Sequence, residues 1–279
     1  MQNHASHFRD RVKKAGSGAA VPAEMVEFYD GLFDYLQKQH AFYSASGLLP
    51  TLQPHDLPVA DKGKHIFSEQ SLRLLASGIE PLIRLMAAHH PGMTLEPLRG
   101  ALEGGALSDF AGAFLTKDAG LLERLALTHK ADRDQAVFII TNLLKPFLAA
   151  LREANAGLVI QPDESRRLCP FCGHYPDMAA IVGVRDGKRF LHCSLCENRW
   201  PYRRIACAVC GCEDADKLEF LSREEYPRYR IDLCHACGGY IKTVRLDKFE
   251  DADACDLAVE NICTPHFDAA ALQAGFRRP

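Results

Sequence analysis

The first 160 residues place apolar side chains at the spacing of amphipathic helices. From Pro22 to Tyr43, apolar residues recur at intervals of three and four, which puts them on one helix face. The same pattern runs from Ser68 to about His89, where Pro81 predicts either a kink or two shorter helices. Further helical patterns occupy residues 95–102, 108–115, 118–128 and 132–154. The pattern therefore predicts a helical half whose apolar stripes form its core.

The pattern changes beyond the turn signal Gln161-Pro162-Asp163, where short extended runs replace the helical stripes. Residues 180–184 and 189–191 flank Asp186-Gly187, a dipeptide typical of hairpin turns because both positions must tolerate positive φ. The second predicted hairpin consists of residues 218–221 and 229–233 around a turn at 224–228, followed by a strand at 240–246.

Four Cys-x-x-Cys pairs flank these two hairpins. Each pair can bind one metal ion with two thiolates, and two pairs complete a tetrahedral four-cysteine shell. The spacings, C-x2-C-x20-C-x2-C and C-x2-C-x23-C-x2-C, lie at or just beyond the long end of those typical of metal ribbons. The pairs are Cys169/Cys172, Cys193/Cys196, Cys207/Cys210 and Cys234/Cys237.

We predict that the first two pairs bind one ion and the last two pairs bind another, because each hairpin joins its own two pairs most simply. An interleaved arrangement, first pair with third and second with fourth, uses the same eight ligands and stays open. Cys212 is an alternative ligand to Cys210, whereas Cys255 and Cys263 are expected to be buried apolar residues. Histidines next to the ligands, His174, His192 and His235, are expected to stay outside the filled shells.

Each Cys-x-x-Cys pair is expected to form a tight metal-binding turn, called a knuckle here. Glycines follow three of the pairs, at Gly173, Gly211 and Gly238, and suit the left-handed conformation that such knuckles need. A ribbon of this size buries little core, so a bound metal has to supply folding energy. The predicted fold class is α+β: a helical N-terminal domain followed by two tandem rubredoxin-like or zinc-ribbon units. We place the helical domain at 1–160, the first ribbon at 161–205, and the second ribbon with a C-terminal tail at 206–279.

Net charge, apolar stretches and the positions of the cysteines limit the functions that are expected. The chain has 279 residues, and its net charge of −3 predicts no bulk attraction to nucleic acid or to an anionic membrane. The longest apolar stretch, Ala136 to Leu144, is too short to cross a bilayer, and the N-terminus lacks a secretory apolar region. All eleven cysteines lie between Cys169 and Cys263, which in a cytosol favours metal binding over disulfides. We therefore expect a cytoplasmic protein.

A basic and aromatic run in the first ribbon is open to three interpretations. It could bind nucleic acid, with basic residues on the phosphates and aromatic residues stacked on bases. It could instead bind an acidic patch of a protein, or form a solvated face. The acidic residues that follow it, beginning at Glu213, weaken the nucleic-acid interpretation. The run comprises Arg185, Lys188, Arg189, Arg199, Arg203 and Arg204, with Trp200 and Tyr202 between them.

The four knuckles carry a resemblance to a known family. Their sequences are Cys169-Pro170-Phe171-Cys172-Gly173, His192-Cys193-Ser194-Leu195-Cys196 followed by Trp200, Cys207-Ala208-Val209-Cys210-Gly211, and Cys234-His235-Ala236-Cys237-Gly238-Gly239-Tyr240. With a helical half in front of it, this array resembles the FdhE family of formate dehydrogenase accessory proteins.

The resemblance implies a cytoplasmic assembly factor, not an enzyme. It also implies two rubredoxin-like iron sites on the paired knuckles, and binding to the catalytic subunit of formate dehydrogenase. From the residues alone, iron and zinc are not distinguished, because tetrahedral thiolate shells serve both. Two other hypotheses stay open: a zinc-ribbon nucleic-acid-binding protein and a rubredoxin-like electron carrier.

Overall fold

A computed structural model of the chain describes residues 4–15, 22–62, 66–183, 187–246 and 255–278. Helices come first, six strands follow, and two short helices close the order of elements. The chain divides into two compact units. The first comprises Ala23–Ile160 with the short pieces Met1–Ala5 and Phe171–Gly173, and the second comprises Ser6–Pro22, Gln161–Pro170 and His174–Pro279.

Eight helices precede the strands in the described part of the chain, as the apolar stripes predict for this half. Short 3₁₀ turns at Pro54–Asp56 and Val59–Lys62, and a π-helical turn at Leu102–Ala106, lie among them. The helices are α1 (His4–Ala15), α2 (Ala23–Ala45), α3 (Glu69–Ala76), α4 (Ile79–His89), α5 (Glu96–Ala101), α6 (Leu107–Leu115), α7 (Ala119–Thr128) and α8 (Arg133–Ala154).

The pattern from Ser68 to His89 forms two shorter helices, which was one of the two predicted outcomes. The break falls at Ser77-Gly78 and not at Pro81. Pro81 is the third residue of α4, where a helix has no use for a backbone N–H, so the proline fits without a kink. Gly78 lies at this break, and a Cβ there would come within 2.8 Å of the hydroxyl of Tyr35, so the close packing requires glycine.

Helix α8 forms the centre of the first unit. It packs against α2, and Ile139, Leu143 and Phe147 on its buried face are fully enclosed. It contains the apolar stretch Ala136 to Leu144 and has the length and hydropathy that a membrane span needs. However, 67% of its apolar window is buried within the protein, as in a core helix.

The six strands form one sheet in the order β3-β2-β1-β6-β5-β4. The predicted hairpins are confirmed as the antiparallel pairs β1–β2 and β4–β5. Arg185 and Asp186 of the first predicted turn lie outside the described residues. The strands are β1 (Met178–Val182), β2 (Lys188–His192), β3 (Arg199–Tyr202), β4 (Leu218–Ser222), β5 (Tyr229–Cys234) and β6 (Gly239–Arg245).

The two hairpin units are fused at the middle of this sheet. Strand β1 of the first unit pairs in parallel with β6 of the second, with Met178 opposite Lys242 and Ile181 opposite Arg245. This pairing and the short edge strand β3 were not predicted. The sequence separation of the two strands gives no local signal for their parallel pairing, which needs a long connection.

One face of the sheet is covered by two C-terminal helices, α9 (Leu257–Ile262) and α10 (Pro265–Gln273). Alternate residues of β5, including Ile231 and Leu233, pack with Phe267 and Ala271 of α10 in one apolar cluster. The side chains between them, such as Asp232, point to the opposite face because strand side chains alternate. The sheet therefore has one apolar, covered face and one more polar face.

A buried lysine connects the sheet to these helices. Lys242 of β6 is 1% exposed, and its Nζ donates to Asp268 Oδ2 at 2.7 Å and to the carbonyl of Asn261 at 2.7 Å. Arg278 donates to the other oxygen of Asp268 at 2.6 Å. Asp268 is thus shared by two cations, and the C-terminal residues are tied to the sheet.

The knuckle turns share one backbone conformation. Gly173, Gly211 and Gly238 have φ of 81°, 81° and 67°, so the predicted left-handed turns are confirmed. The knuckle of Cys193 and Cys196 has Glu197 at the same position, with φ of 59°. Its N–H donates to the carbonyl of Cys193 at 2.7 Å, the same bond that closes the turns at Gly211 and Gly238. A glutamate therefore occupies a conformation that favours glycine.

Substitutions at the residue that follows a Cys-x-x-Cys pair test the free-energy cost of placing a non-glycine residue at positive φ. We expect Gly238→Ala to lower the free energy of unfolding by about 1 kcal/mol, because a Cβ there meets no neighbour but is strained at positive φ. Glu197→Gly is expected to raise it by up to about 1 kcal/mol. Glu197→Ala is the control, since it removes the carboxylate and keeps the strain. Urea unfolding measures all three, and equal stability of the Gly and Ala variants at 197 would contradict the argument.

A second prediction concerns pH. Burial, together with repulsion from Arg278, lowers the pKa of Lys242 from 10.5 to about 8 against the attraction of Asp268. Between these values the unfolded chain binds more protons than the folded one, so the free energy of unfolding rises with pH. Lys242→Met should flatten this rise by up to about 1.4 kcal/mol per pH unit.

Urea unfolding of wild type and variant across this pH window measures the difference. Cysteine titration contributes equally to both proteins and cancels. Lys217→Met is the control, because Lys217 is exposed and should keep the wild-type slope. Parallel profiles of wild type and Lys242→Met would show that Lys242 does not titrate as stated.

Candidate metal centres

The first group of cysteines surrounds a buried point at one end of the β1–β2 hairpin. The structure brings together Cys169, Cys172, Cys193 and Cys196, and their sulfur atoms all lie within 4.8 Å of one another. All four residues are buried, and the sulfurs of Cys169 and Cys196 are 3.5 Å apart. The Nδ2 of Asn198 donates to the sulfur of Cys169 at 3.7 Å, a contact that the sequence did not reveal.

The second group forms at the corresponding end of the β4–β5 hairpin. Cys207, Cys210, Cys234 and Cys237 also place their sulfurs within 4.8 Å of one another. The pairs Cys207–Cys237 and Cys210–Cys234 are each 3.8 Å apart. Cys207 and Cys234 are buried, whereas Cys210 and Cys237 reach the surface. The cysteines are therefore grouped sequentially, each hairpin with its own two pairs, and not interleaved.

Backbone amides point at the sulfurs, as metal knuckles require. The N–H groups of Val209 and Cys210 donate to the sulfur of Cys207 at 3.3 and 3.4 Å. The N–H of Gly239 donates to the sulfur of Cys237 at 3.3 Å. Such donors stabilise negative charge on a thiolate, which is the form that binds a metal.

The distances fit a tetrahedral ion. Sulfurs about 2.3 Å from a central ion in a tetrahedron are about 3.8 Å from one another. The separations of 3.5 to 3.8 Å agree with this value, and are far from the roughly 2.05 Å of a disulfide. Each cluster could therefore hold one metal ion, and both zinc and iron suit four thiolates. The assignment of the eight cysteines as ligands stays a prediction.

Without an ion, the second cluster resists ionisation. Burial raises the pKa of Cys234 and of Cys237 to about 11, and also raises the pKa of Cys207. At Cys210 burial acts in the same direction, but hydrogen bonds from the N–H of Cys212 and from neighbouring thiols together lower its pKa. Since a metal binds thiolates, metal uptake has to displace protons, and its affinity rises with pH.

The other cysteines lie outside both clusters. Cys212 is partly exposed, and its carbonyl accepts a hydrogen bond from the N–H of Cys207 at 2.8 Å. Its role in the second knuckle is therefore a backbone one. Cys255 and Cys263 are buried, as predicted, and burial raises the pKa of the Cys263 thiol to about 11.

Neither cluster includes a histidine. The Nδ1 of His192, next to Cys193, lies 2.9 Å from a carboxylate oxygen of Asp177, whose other oxygen accepts from Asn261. His235 is exposed and lies 2.8 Å from Glu219. His174 contacts the carbonyl of Tyr175. In the described residues these three histidines therefore lie outside the four-cysteine groups.

The basic and aromatic run does not form a stacking surface. Trp200 and Tyr202 are each 3% exposed, and their polar atoms donate to the carbonyls of Arg166 and Cys207. Arg189 is also 3% exposed, and one of its terminal nitrogens donates to Asp232 at 2.8 Å. Of the basic residues, Lys188, Arg199, Arg203 and Arg204 are exposed, as a solvated face predicts, and Arg189 is the exception. The nucleic-acid hypothesis loses its exposed aromatic residues, because Trp200 and Tyr202 are buried. Arg185 lies outside the described residues.

Comparisons with known proteins agree on one family. A family model of the FdhE central domain matches residues 168–204, which contain the first cluster. An FdhE homolog from Edwardsiella ictaluri is 35% identical over 147 residues, covering 52% of this chain and 46% of that protein. An FdhE homolog from Haemophilus influenzae is 31% identical over 175 residues, covering 62% of this chain and 53% of that protein. The chain thus spans about half the length of these curated relatives.

The fold agrees with a solved structure. The crystal structure of the FdhE protein from Pseudomonas aeruginosa superposes with a TM-score of 0.62 at 23% sequence identity. The match covers 100% of this chain and 94% of that one, and shows that the two share a fold. The α+β fold class, with a helical half followed by a sheet region that carries two four-cysteine clusters, is confirmed. The predicted resemblance to the FdhE family is therefore confirmed by the matching relatives and by the model of the FdhE central domain at residues 168–204.

Proposed function

We propose that the protein is a cytoplasmic accessory factor in the maturation of formate dehydrogenase, and that it binds the catalytic subunit of that enzyme. Two observations support the proposal. The chain is similar in sequence and fold to FdhE proteins, and the described residues contain two complete four-sulfur clusters. The clusters carry the proposal, because they explain how small ribbons could present a rigid surface to a partner.

Each cluster is proposed to hold one iron ion, with zinc as the alternative. Cys169, Cys172, Cys193 and Cys196 would hold the first ion, and Cys207, Cys210, Cys234 and Cys237 the second. A tetrathiolate ion links segments that are distant in sequence, and so adds its binding free energy to the folding of the ribbon. Iron would in addition allow a one-electron change, which zinc does not.

We further propose that the protein acts by binding and not by catalysis. A tetrahedral site with four cysteine ligands has no open position for a substrate, whereas catalytic zinc sites keep one. The helical domain at 1–160 and the ribbons at 161–205 and 206–279 are proposed as parts of one docking platform. The contribution of each part can be measured by partner binding.

Metal content is the first test. Purified protein should contain about two metal ions per chain, because each closed cluster takes one. An absorption spectrum then separates the metals, since ferric tetrathiolate is red and zinc tetrathiolate is colourless. Cys210→Ser should reduce the content to about one ion, because it removes a ligand of one cluster only.

Cys212→Ser is the matched control, since Cys212 follows the same knuckle but its sulfur lies outside the cluster. It should leave the metal content unchanged. Loss of an ion in Cys212→Ser but not in Cys210→Ser would reverse the ligand assignment. Folded wild-type protein without metal would contradict the role of the ions as folding clamps.

Partner binding is the second test. Tagged, metal-loaded protein should retain the catalytic subunit of formate dehydrogenase at low salt when the two are co-expressed. A variant with Cys169→Ser and Cys172→Ser should retain less, because the first ribbon loses its clamp. The Cys212→Ser protein serves again as control and should retain as much as wild type. Absence of retention by folded, metal-loaded wild type would refute the proposed function.

A rubredoxin-like electron carrier is the second candidate. One observation favours it: Cys210 and Cys237 reach the surface, so an ion in the second cluster would lie close to solvent and to an electron-transfer partner. This candidate requires iron and a reversible one-electron change at that cluster. Zinc in the second cluster of freshly purified protein would exclude it.

A further inference from the structure

A cavity of about 490 Å³ opens on the sheet face opposite the C-terminal helices. Strands β4, β5 and β6 form its floor through residues such as Leu218, Asp232 and Ile241. The segment 204–209, which connects the two ribbons, forms a wall. All the lining residues belong to the second compact unit, and the volume lies in the range of ordinary ligand sites.

Arginines outnumber carboxylates in the lining, which also includes Cys207 and Cys234 of the second cluster. Four arginines, Arg189, Arg204, Arg230 and Arg245, share the cavity with only two carboxylates, Asp232 and Glu219. Glu219 lies 2.8 Å from the exposed His235, and so is partly engaged outside the arginine group. The guanidinium groups therefore outnumber the carboxylates that face them.

The single central carboxylate is already shared. Asp232 Oδ2 accepts from Arg189 at 2.8 Å and from the hydroxyl of Thr243 at 2.7 Å. Its other oxygen lies 2.7 Å from Nε of Arg230. One carboxylate between two largely buried guanidinium groups leaves a net positive charge in a poorly solvated place, which is costly until an anion joins them.

Two buried donors of this group, Nε of Arg189 and Nε of Arg230, make no hydrogen bond within the described residues, and neither does Oδ1 of Asp232, although it pairs electrostatically with Arg230. Arg189 is 3% exposed, and its terminal nitrogens bond to Asp232 and to the carbonyl of Ala206. Its Nε has no hydrogen-bond partner among the residues that the structure describes. Buried donors are normally satisfied, so an unsatisfied one beside a cavity marks a position for an acceptor from a ligand.

Apolar side chains border the same cavity. Ile205 is 65% exposed and Phe220 is 60% exposed, and both line it. Arg230 lies over the ring of Phe220, 5.1 Å from its centroid, which holds its guanidinium in place. A small inorganic anion would not need these apolar surfaces, and a purely apolar ligand would not need the arginines.

The cavity also adjoins an open edge of the sheet. Strand β4 is the last strand of the described sheet, so one side of its backbone is not paired within it. An extended peptide can bind such an edge through backbone hydrogen bonds, while pockets take alternate side chains. These features fit a peptide in which acidic and apolar residues alternate. Its backbone would pair with the β4 edge, its carboxylates with the arginines, and its apolar side chains with Ile205 and Phe220.

We propose that this cavity and the β4 edge bind an extended acidic segment of a partner protein, with its carboxylates at Arg189, Arg204 and Arg230. The apolar side chains of the segment contact Ile205 and Phe220. The proposal stands on the cavity, and does not rest on the proposed function.

A display selection with short random peptides tests the proposal on the immobilised full-length protein. Selected peptides should be enriched in Asp and Glu interleaved with apolar residues. A selected peptide, made synthetically, should bind at least about tenfold more weakly to the double variant Arg204→Gln, Arg230→Gln, because the variant loses two charge-assisted contacts to the carboxylates of the peptide. Fluorescence anisotropy measures the affinity, and circular dichroism verifies folding.

Two further variants make the outcome specific. Ile205→Glu places a carboxylate at the mouth of the cavity, and should weaken binding similarly, while its exposure spares the core. Arg223→Gln is the matched control for Ile205→Glu, because Arg223 is exposed and outside the cavity and both substitutions lower the net charge by one. No enrichment of peptides, enrichment without acidic residues, or an equal loss in Arg223→Gln would each overturn the proposal.

Discussion

The structure depends on the convergence of sulfur atoms in two groups of four. Sulfurs 3.5 to 3.8 Å apart cannot all be thiolates without a cation, because like charges at this distance repel strongly. A metal ion turns the same crowding into attraction, and each ribbon then gains a covalent-like junction where its own apolar core is small.

The parallel pairing of β1 with β6 joins the two ribbons into one continuous sheet. The first hairpin and the second share a continuous sheet, so the backbone that holds one cluster is hydrogen-bonded to the backbone that holds the other. The C-terminal helices reinforce this junction, since they pack against β1, β5 and β6 together. If each cluster holds an ion, as proposed, loss of one ion should destabilise both ribbons.

Local signals explain why much of this fold could be predicted. Cysteine spacing, the glycines at left-handed positions and the apolar stripes each act within a few residues, and the structure contains all three. The fusion of the ribbons and the β3 edge depend on pairing between distant segments, for which one sequence gives no pattern. Arg189 was misjudged for a related reason: its burial depends on Asp232, 43 residues away, which satisfies a charge that the sequence shows as solvated.

The two clusters differ in their surroundings in a way that bears on function. The first has four buried cysteines, a hydrogen bond from Asn198 to one of its sulfurs, and the buried His192 next to Cys193. The second has two cysteines at the surface, and its other two, Cys207 and Cys234, line the arginine-rich cavity. An occupant of the cavity would therefore lie against the second cluster and leave the first untouched. This arrangement favours a division in which the first cluster stabilises the sheet and the second supports the surface that meets a partner.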